Sequence, residues 1–108
     1  MIRDSFICIG DHGSVLVACG ELDIASTPRL VEATDHAAKS FRDLTVDLSA
    51  VTFMDCAALG ALLRTRKDLG RRGGVLTLRA PHRSVVRLLR LAGLEHAFPI
   101  VVPTAVSH

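Results

Sequence analysis

The chain has no tryptophan and no tyrosine, and only four phenylalanines represent the aromatics. With about half of its 108 residues apolar, it must build its core from Leu, Val, Ile and Ala. Long apolar runs are missing too: no stretch approaches the roughly 18 residues of a membrane-crossing helix, so direct membrane insertion is excluded. The opening MIRDSFICIG places Asp4 where a secretory leader would be apolar. Three cysteines, Cys8, Cys19 and Cys56, form no metal-ligand spacing and no even-numbered disulfide set, which suits a reducing compartment. The five histidines (His12, His36, His82, His96 and His108) fall into no HExxH-like pattern. These absences lead to the expectation of a cytoplasmic protein without metal or other cofactor.

What is present is unevenly distributed. Residues 1–63 carry four Arg/Lys against nine Asp/Glu, net −5, whereas residues 64–108 carry nine against two, net +7. A basic half can signal nucleic acid. Here Arg79, Arg83, Arg87 and Arg90 alternate with apolar residues, as on the wet faces of amphipathic elements, so no nucleic-acid partner is expected.

Hydrophobic periodicity divides the chain into eight elements. Residues 5–9 and 14–19 are short β-type runs around the turn tetrapeptide GDHG, a hairpin signature. Ser26 or Thr27 then opens a helix with Pro28 in its first turn. Leu30, Val31, Thr34, Ala37, Ala38 and Phe41 lie at helical spacing along it. Residues 44–51 alternate as a strand. Asp55 caps a second helix with Leu59, Leu62, Leu63, Arg66 and Leu69 as its stripe, and Gly60 inside it implies close packing, on the core or else by a partner. Cations gather toward its C-terminal end, where the helix dipole favours them, and Gly73-Gly74 ends it. A strand over 75–80 leads to a third helix with Val85, Val86, Leu88, Leu89 and Ala92 inward, closed by Gly93 and Leu94. A strand over 98–102 comes last. The order ββαβαβαβ, with no linker or repeat, predicts one α/β domain over 1–108: a mixed, mostly parallel sheet with an N-terminal hairpin and three helices.

Two stretches, GELDIASTPRL (20–30) and VDLSAVTFMDCAALGALL (46–63), resemble the STAS domain of anti-sigma-factor antagonists. The resemblance implies a regulator that binds an anti-sigma factor, itself a serine kinase of the kinase-like ATPase fold, and so releases a sigma factor. It implies a contact surface at Asp23 and at the rim Asp55, Cys56, Ala57, Ala58 and Leu59. In the family, FMD is followed by Ser-Ser-Gly-Leu-Gly, and the second serine is phosphorylated. Here Asp55 matches the aspartate, Cys56 the first serine, Ala57 the phosphoacceptor and Ala58 the glycine, while Leu59 and Gly60 match directly. Alanine has no nucleophilic oxygen, so the usual off-switch is missing. Asp23 and Asp55 also read as loop and helix caps. With no nucleophile, metal cluster or convergent histidine beside them, they do not suggest an enzyme. Cys56 reads as a small residue tolerated where serine stood, and a redox role is the sharper alternative. A second implied function is a STAS accessory subunit packed on the ATPase of a membrane lipid or solute transporter. Self-association as a homodimer is left open.

Overall fold

The computed structural model describes residues 6–9, as backbone, and residues 14–102. The GDHG turn, His12 and His108 lie outside them. The elements are β1 (Phe6–Ile9), β2 (Val15–Leu22), α1 (Thr27–Ala38), β3 (Leu44–Met54), α2 (Cys56–Arg71), β4 (Leu76–Arg79), α3 (Arg83–Leu91) and β5 (Ile100–Val101). They form one five-stranded sheet in the order β1-β2-β3-β4-β5. β1 runs antiparallel to β2, and β2 to β5 are mutually parallel. The expected α/β architecture is therefore found, with the hairpin pairing at one edge.

A parallel strand must be joined to its neighbour by a crossover, and each crossover here is a helix. Alternation decides what each strand buries. Leu16 and Ala18 of β2, Leu44, Val46 and Leu48 of β3, and Leu76 and Leu78 of β4 point to one face and are all at most 1% exposed. Leu30 and Ala37 of α1, Leu59, Leu62 and Leu69 of α2, and Val85 and Leu89 of α3 join them in a single aliphatic core. On the opposite face, Val15, Val17, Thr45, Asp47 and Thr77 are half-buried, and Arg79 reaches to 3.9 Å from Asp47.

β3 extends three residues beyond the strand read from alternation, and β2 also runs on to Leu22. Two register shifts explain why alternation failed to show this. Val17 pairs with Asp47 but Cys19 with Ala50; Gly20 pairs with Val51 but Glu21 with Phe53. Each shift gives β3 one extra residue, a β-bulge, and reverses the sense of the period. Asp47 supports the first bulge by accepting hydrogen bonds from the Ser49 N–H at 2.9 Å and hydroxyl at 2.7 Å. The bulges return Val51 and Met54 to the core and leave Phe53 47% exposed.

Both later helices end in Schellman motifs. Gly73 (φ 76°) follows α2, with Gly74 N–H on Leu69 C=O at 2.8 Å; Gly93 (φ 72°) follows α3, with Leu94 N–H on Leu89 C=O at 2.7 Å. Other expectations need correction. α1 stops at Ala38, and Phe41 hangs at 36% exposure because the chain turns at Lys39-Ser40. Arg66 faces solvent, since α2 rests on Ala58, Leu59, Ala61, Leu62 and Leu69. Val86 is only half-buried and Ala92 is exposed, because Val85 and Leu89 alone point fully inward from α3. β5 is just Ile100–Val101, and Phe98 serves as a core anchor ahead of it.

Gly60 overturns its own reading. A Cβ there would meet nothing within 4 Å, so no neighbour demands glycine. Gly74 is the opposite case: its Cβ would collide with the Arg42 carbonyl. Gly60→Ala should therefore stabilise the fold by up to about 1 kcal/mol. Gly74→Ala should cost about 1–3 kcal/mol through forced backbone movement. Urea unfolding of the two variants checks both signs; equal effects would contradict the packing described.

Candidate functional site

Because β2, β3 and β4 are parallel and each leads into a helix, the first turns of α1, α2 and α3 gather at the carboxyl edge of the sheet. The loops there are held by side chains that bond main-chain groups. Asp23 folds the β2–α1 loop. Its Oδ1 accepts from the N–H groups of Ala25 (3.0 Å) and Ser26 (3.1 Å), and its carbonyl accepts from Thr27 N–H (3.0 Å) and hydroxyl (2.9 Å). The expected capping by Ser26 is reversed: its φ/ψ are −96° and −9°, it makes no side-chain cap, and its hydroxyl accepts from Asp23 N–H at 2.9 Å. Ser26 is also buried, so its hydroxyl is spent inside the loop.

Asp55 caps α2, as its sequence position suggested. Its extended backbone (φ −102°, ψ −178°) lets Oδ1 accept from Ala58 N–H at 3.0 Å. The second oxygen does something no local pattern reveals. Oδ2 accepts from Ile24 N–H, also at 3.0 Å, across 31 residues, while Asp55 N–H donates to Leu22 C=O at 3.0 Å. One carboxylate thus fixes the β2–α1 loop against the start of α2. The third helix is tied in similarly. His82 Nδ1 accepts from Ser84 N–H at 3.1 Å, and the Ser84 hydroxyl donates to Thr52 C=O at 3.1 Å.

The sequence-named site residues separate into layers. Cys56 is exposed and Ala57 half-buried, so both lie on the surface of this edge. Ala58 (0% exposed) and Leu59 (4%) belong to the core and support the rim from beneath; their side chains offer nothing to a partner. Asp23 and Asp55 are half-buried with their oxygens engaged by backbone donors, which makes them architects of the loops. Sequence reasoning missed Ile24, 75% exposed, and Phe53. Their only signal was an apolar residue immediately beside a turn-forming aspartate and a break in alternation. Gly60, exposed and one helical turn beyond Cys56, continues the same surface. Ile24, Phe53, Cys56, Ala57 and Gly60 are thus the uncharged small or apolar residues that lie exposed or half-buried at this edge.

Among the described residues no group of His, Cys, Asp and Glu could hold a metal ion. None of their helices is long and apolar enough to cross a membrane. Asp55→Ala should cost about 1–3 kcal/mol, since it removes a cap and leaves Ile24 N–H unpaired. Asp55→Ser keeps a capping oxygen but cannot span both donors, so it should lose less stability while the amide of Ile24 exchanges faster. Urea unfolding with amide hydrogen exchange measures both; unchanged exchange at Ile24 in either variant would show that the bridge does not hold the loop.

Comparison with known proteins agrees with this architecture. A family model of the STAS domain matches residues 8–105. The anti-sigma-B factor antagonist of Bacillus subtilis is 33% identical over 81 residues, covering 75% of this chain and 74% of that protein. The anti-sigma-B factor antagonist of Listeria monocytogenes is 32% identical over 91 residues, covering 83% and 79%. The crystal structure of an anti-sigma factor antagonist from Mycobacterium paratuberculosis superposes with a TM-score of 0.77 at 32% identity, covering 94% of this chain and 88% of that one. With the sheet order, the helix-edge loops and these relatives in agreement, the chain belongs to the STAS domain family, among the anti-sigma factor antagonists.

Proposed function

We propose that this protein binds an anti-sigma factor of the serine-kinase type, with the kinase-like ATPase fold, through the edge formed by Ile24, Phe53, Cys56, Ala57 and Gly60, and thereby releases a sigma factor. The observation that carries the reading is the character of that edge: apolar or small side chains, exposed or half-buried, at the end of β3, the start of α2 and the β2–α1 loop that Asp23 and Asp55 hold in place. A rigid surface gives up little conformational entropy on association, so a small apolar contact keeps more of its free energy. Nothing in the reading calls for catalysis. The protein acts by occupying its partner.

The position that carries phosphate in the family is Ala57, near the start of α2 and half-buried. A phosphoserine would bring about −1.5 to −2 charges to this place. The helix tolerates such charge, because its N-terminal dipole end is positive. A partner surface fitted to a neutral methyl group does not, and complex formation fails through desolvation and repulsion. With alanine in place the edge stays neutral, so the protein is held in its binding-competent form and its abundance sets its action. Supporting this are the relatives named as antagonists and the side chain at position 57.

The test is capture from native lysate with the unsubstituted protein and an Ala57→Glu variant as baits. The expected partner is a kinase-like anti-sigma factor, with affinity reduced about a hundredfold or more by the glutamate. Incubation of that kinase and ATP with the protein should leave its mass unchanged, whereas an Ala57→Ser variant should gain one phosphate. Recovery of a transporter ATPase, or equal binding by the Ala57→Glu variant, would refute the proposal.

A further inference from the structure

The outer faces of α1 and α3 carry matching patterns of opposite charge. On α3, Arg83 and Arg87 stand one turn apart beside a groove lined by Val86, Arg90 and Leu91, and Leu91 is 76% exposed. Among the described residues, neither Arg83 nor Arg87 has an ion-pair partner, whereas Arg90 lies 3.8 Å from Glu95. On α1, Glu32 and Asp35 stand one turn apart beside a groove lined by Pro28, Val31 and Lys39, and neither acid has an ion-pair partner among the described residues. Other acids are committed internally: Asp43 accepts from Val75 N–H at 2.9 Å, Asp47 holds the bulge of β3, and Asp55 bridges two loops. The arginines of α3 are therefore left facing outward, with the carboxylates of α1 as their complement on the same chain.

We propose that the protein self-associates, α3 of one copy docking antiparallel on α1 of a second. In sequence spacing the two faces match to within one residue. Asp35 to Pro28 spans seven residues and Arg83 to Leu91 eight. With Asp35 opposite Arg83, Glu32 falls one residue from Arg87, Val31 one from Val86, and Pro28 one from Leu91, offsets that long side chains span. Of the remaining charges, Arg29 falls one residue from Arg90, which Glu95 already pairs, His36 falls opposite His82, and Lys39 falls beyond the first residue of α3. Acids at i, i+3 against arginines at i, i+4 is the spacing of ridges that interdigitate at a shallow crossing angle. Antiparallel helices also set their dipoles in opposition. Guanidinium forks pair with carboxylates in two-point contacts, which fixes the register. When the contact is reciprocal the product is a two-fold dimer, and when it is one-sided it is an open chain. The apolar centre is small, so association is weak and salt-sensitive.

The experiment is sedimentation equilibrium on the purified chain over about 10 to 500 µM, at about 50 mM and about 500 mM salt. The expected result is concentration-dependent association at low salt that weakens by about tenfold or more at high salt. Glu32→Arg and Arg87→Glu should each weaken it by about tenfold or more. An equimolar mixture of the two variants should recover it, because each places the opposite charge against the other. Far-UV circular dichroism confirms that the variants fold, and Ala57→Glu, which alters the partner-binding edge, should associate as the unsubstituted protein does. A monomer throughout, association that strengthens with salt, no recovery in the mixture, or loss of association in Ala57→Glu would each overturn the proposal. None of these outcomes depends on an anti-sigma factor, so they leave the functional reading to its own test.

Discussion

The carboxylate of Asp55 is the constraint on which the carboxyl edge of the sheet depends. A helix start needs acceptors for its first amides, and an exposed loop needs a reason to hold one shape. One side chain meets both needs by giving one oxygen to α2 and the other to the loop before α1. Ser84 does the same more simply, with its hydroxyl anchoring α3 to the main chain of β3. Three separate crossovers thereby become one surface. The sheet sets where that surface lies, and these polar contacts set its shape. Its apolar side chains then remain exposed without the loops collapsing over them.

The same economy governs charge. In most of the described acidic residues of the N-terminal half the carboxylate is already used on a backbone amide or hydroxyl, which neutralises little charge but fixes where the carboxylate sits. Arginines have no comparable role inside the fold, because the guanidinium is long, strongly cationic and favoured at helix ends and outer faces. Arg72, which donates to Ala38 C=O at 2.9 Å, is an exception that ties the end of α2 to the end of α1. The uneven charge seen along the sequence is therefore not an even split of the folded surface into two halves. It is a difference between charges that build loops and charges that meet solvent.

The element order, the parallel sheet, the cap at Asp55 and the glycine stop after α3 were legible because each has a local cause: a period, a capping oxygen, a residue that tolerates positive φ. The features that could not be read have causes distant in the chain. The bulges of β3 depend on register with β2, and one extra residue inverts the face of everything after it. Ser26 looks like a cap by type, yet Asp23 three residues earlier occupies that role and turns the serine hydroxyl inward. Gly60 looked like a packing glycine because helices disfavour glycine, but only the surrounding space decides, and it is empty. For the site, sequence matching named residues of two layers, one at the surface and one in the core. Ala58 and Leu59 adjoin Ala57 in the chain while pointing to the core, as helical geometry requires of residues one or two positions further on.

The bond from Asp55 to residue 24 is made to a main-chain N–H, which every amino acid except proline supplies. Residue 24 therefore contributes its backbone to the scaffold and its side chain to the surface, and the two contributions are separable. A lineage of such chains could exchange the side chain at this place, and with it its choice of partner, while the architecture stayed fixed. Insulation of this kind lets duplicated copies diverge in wiring without each step passing through an unstable intermediate.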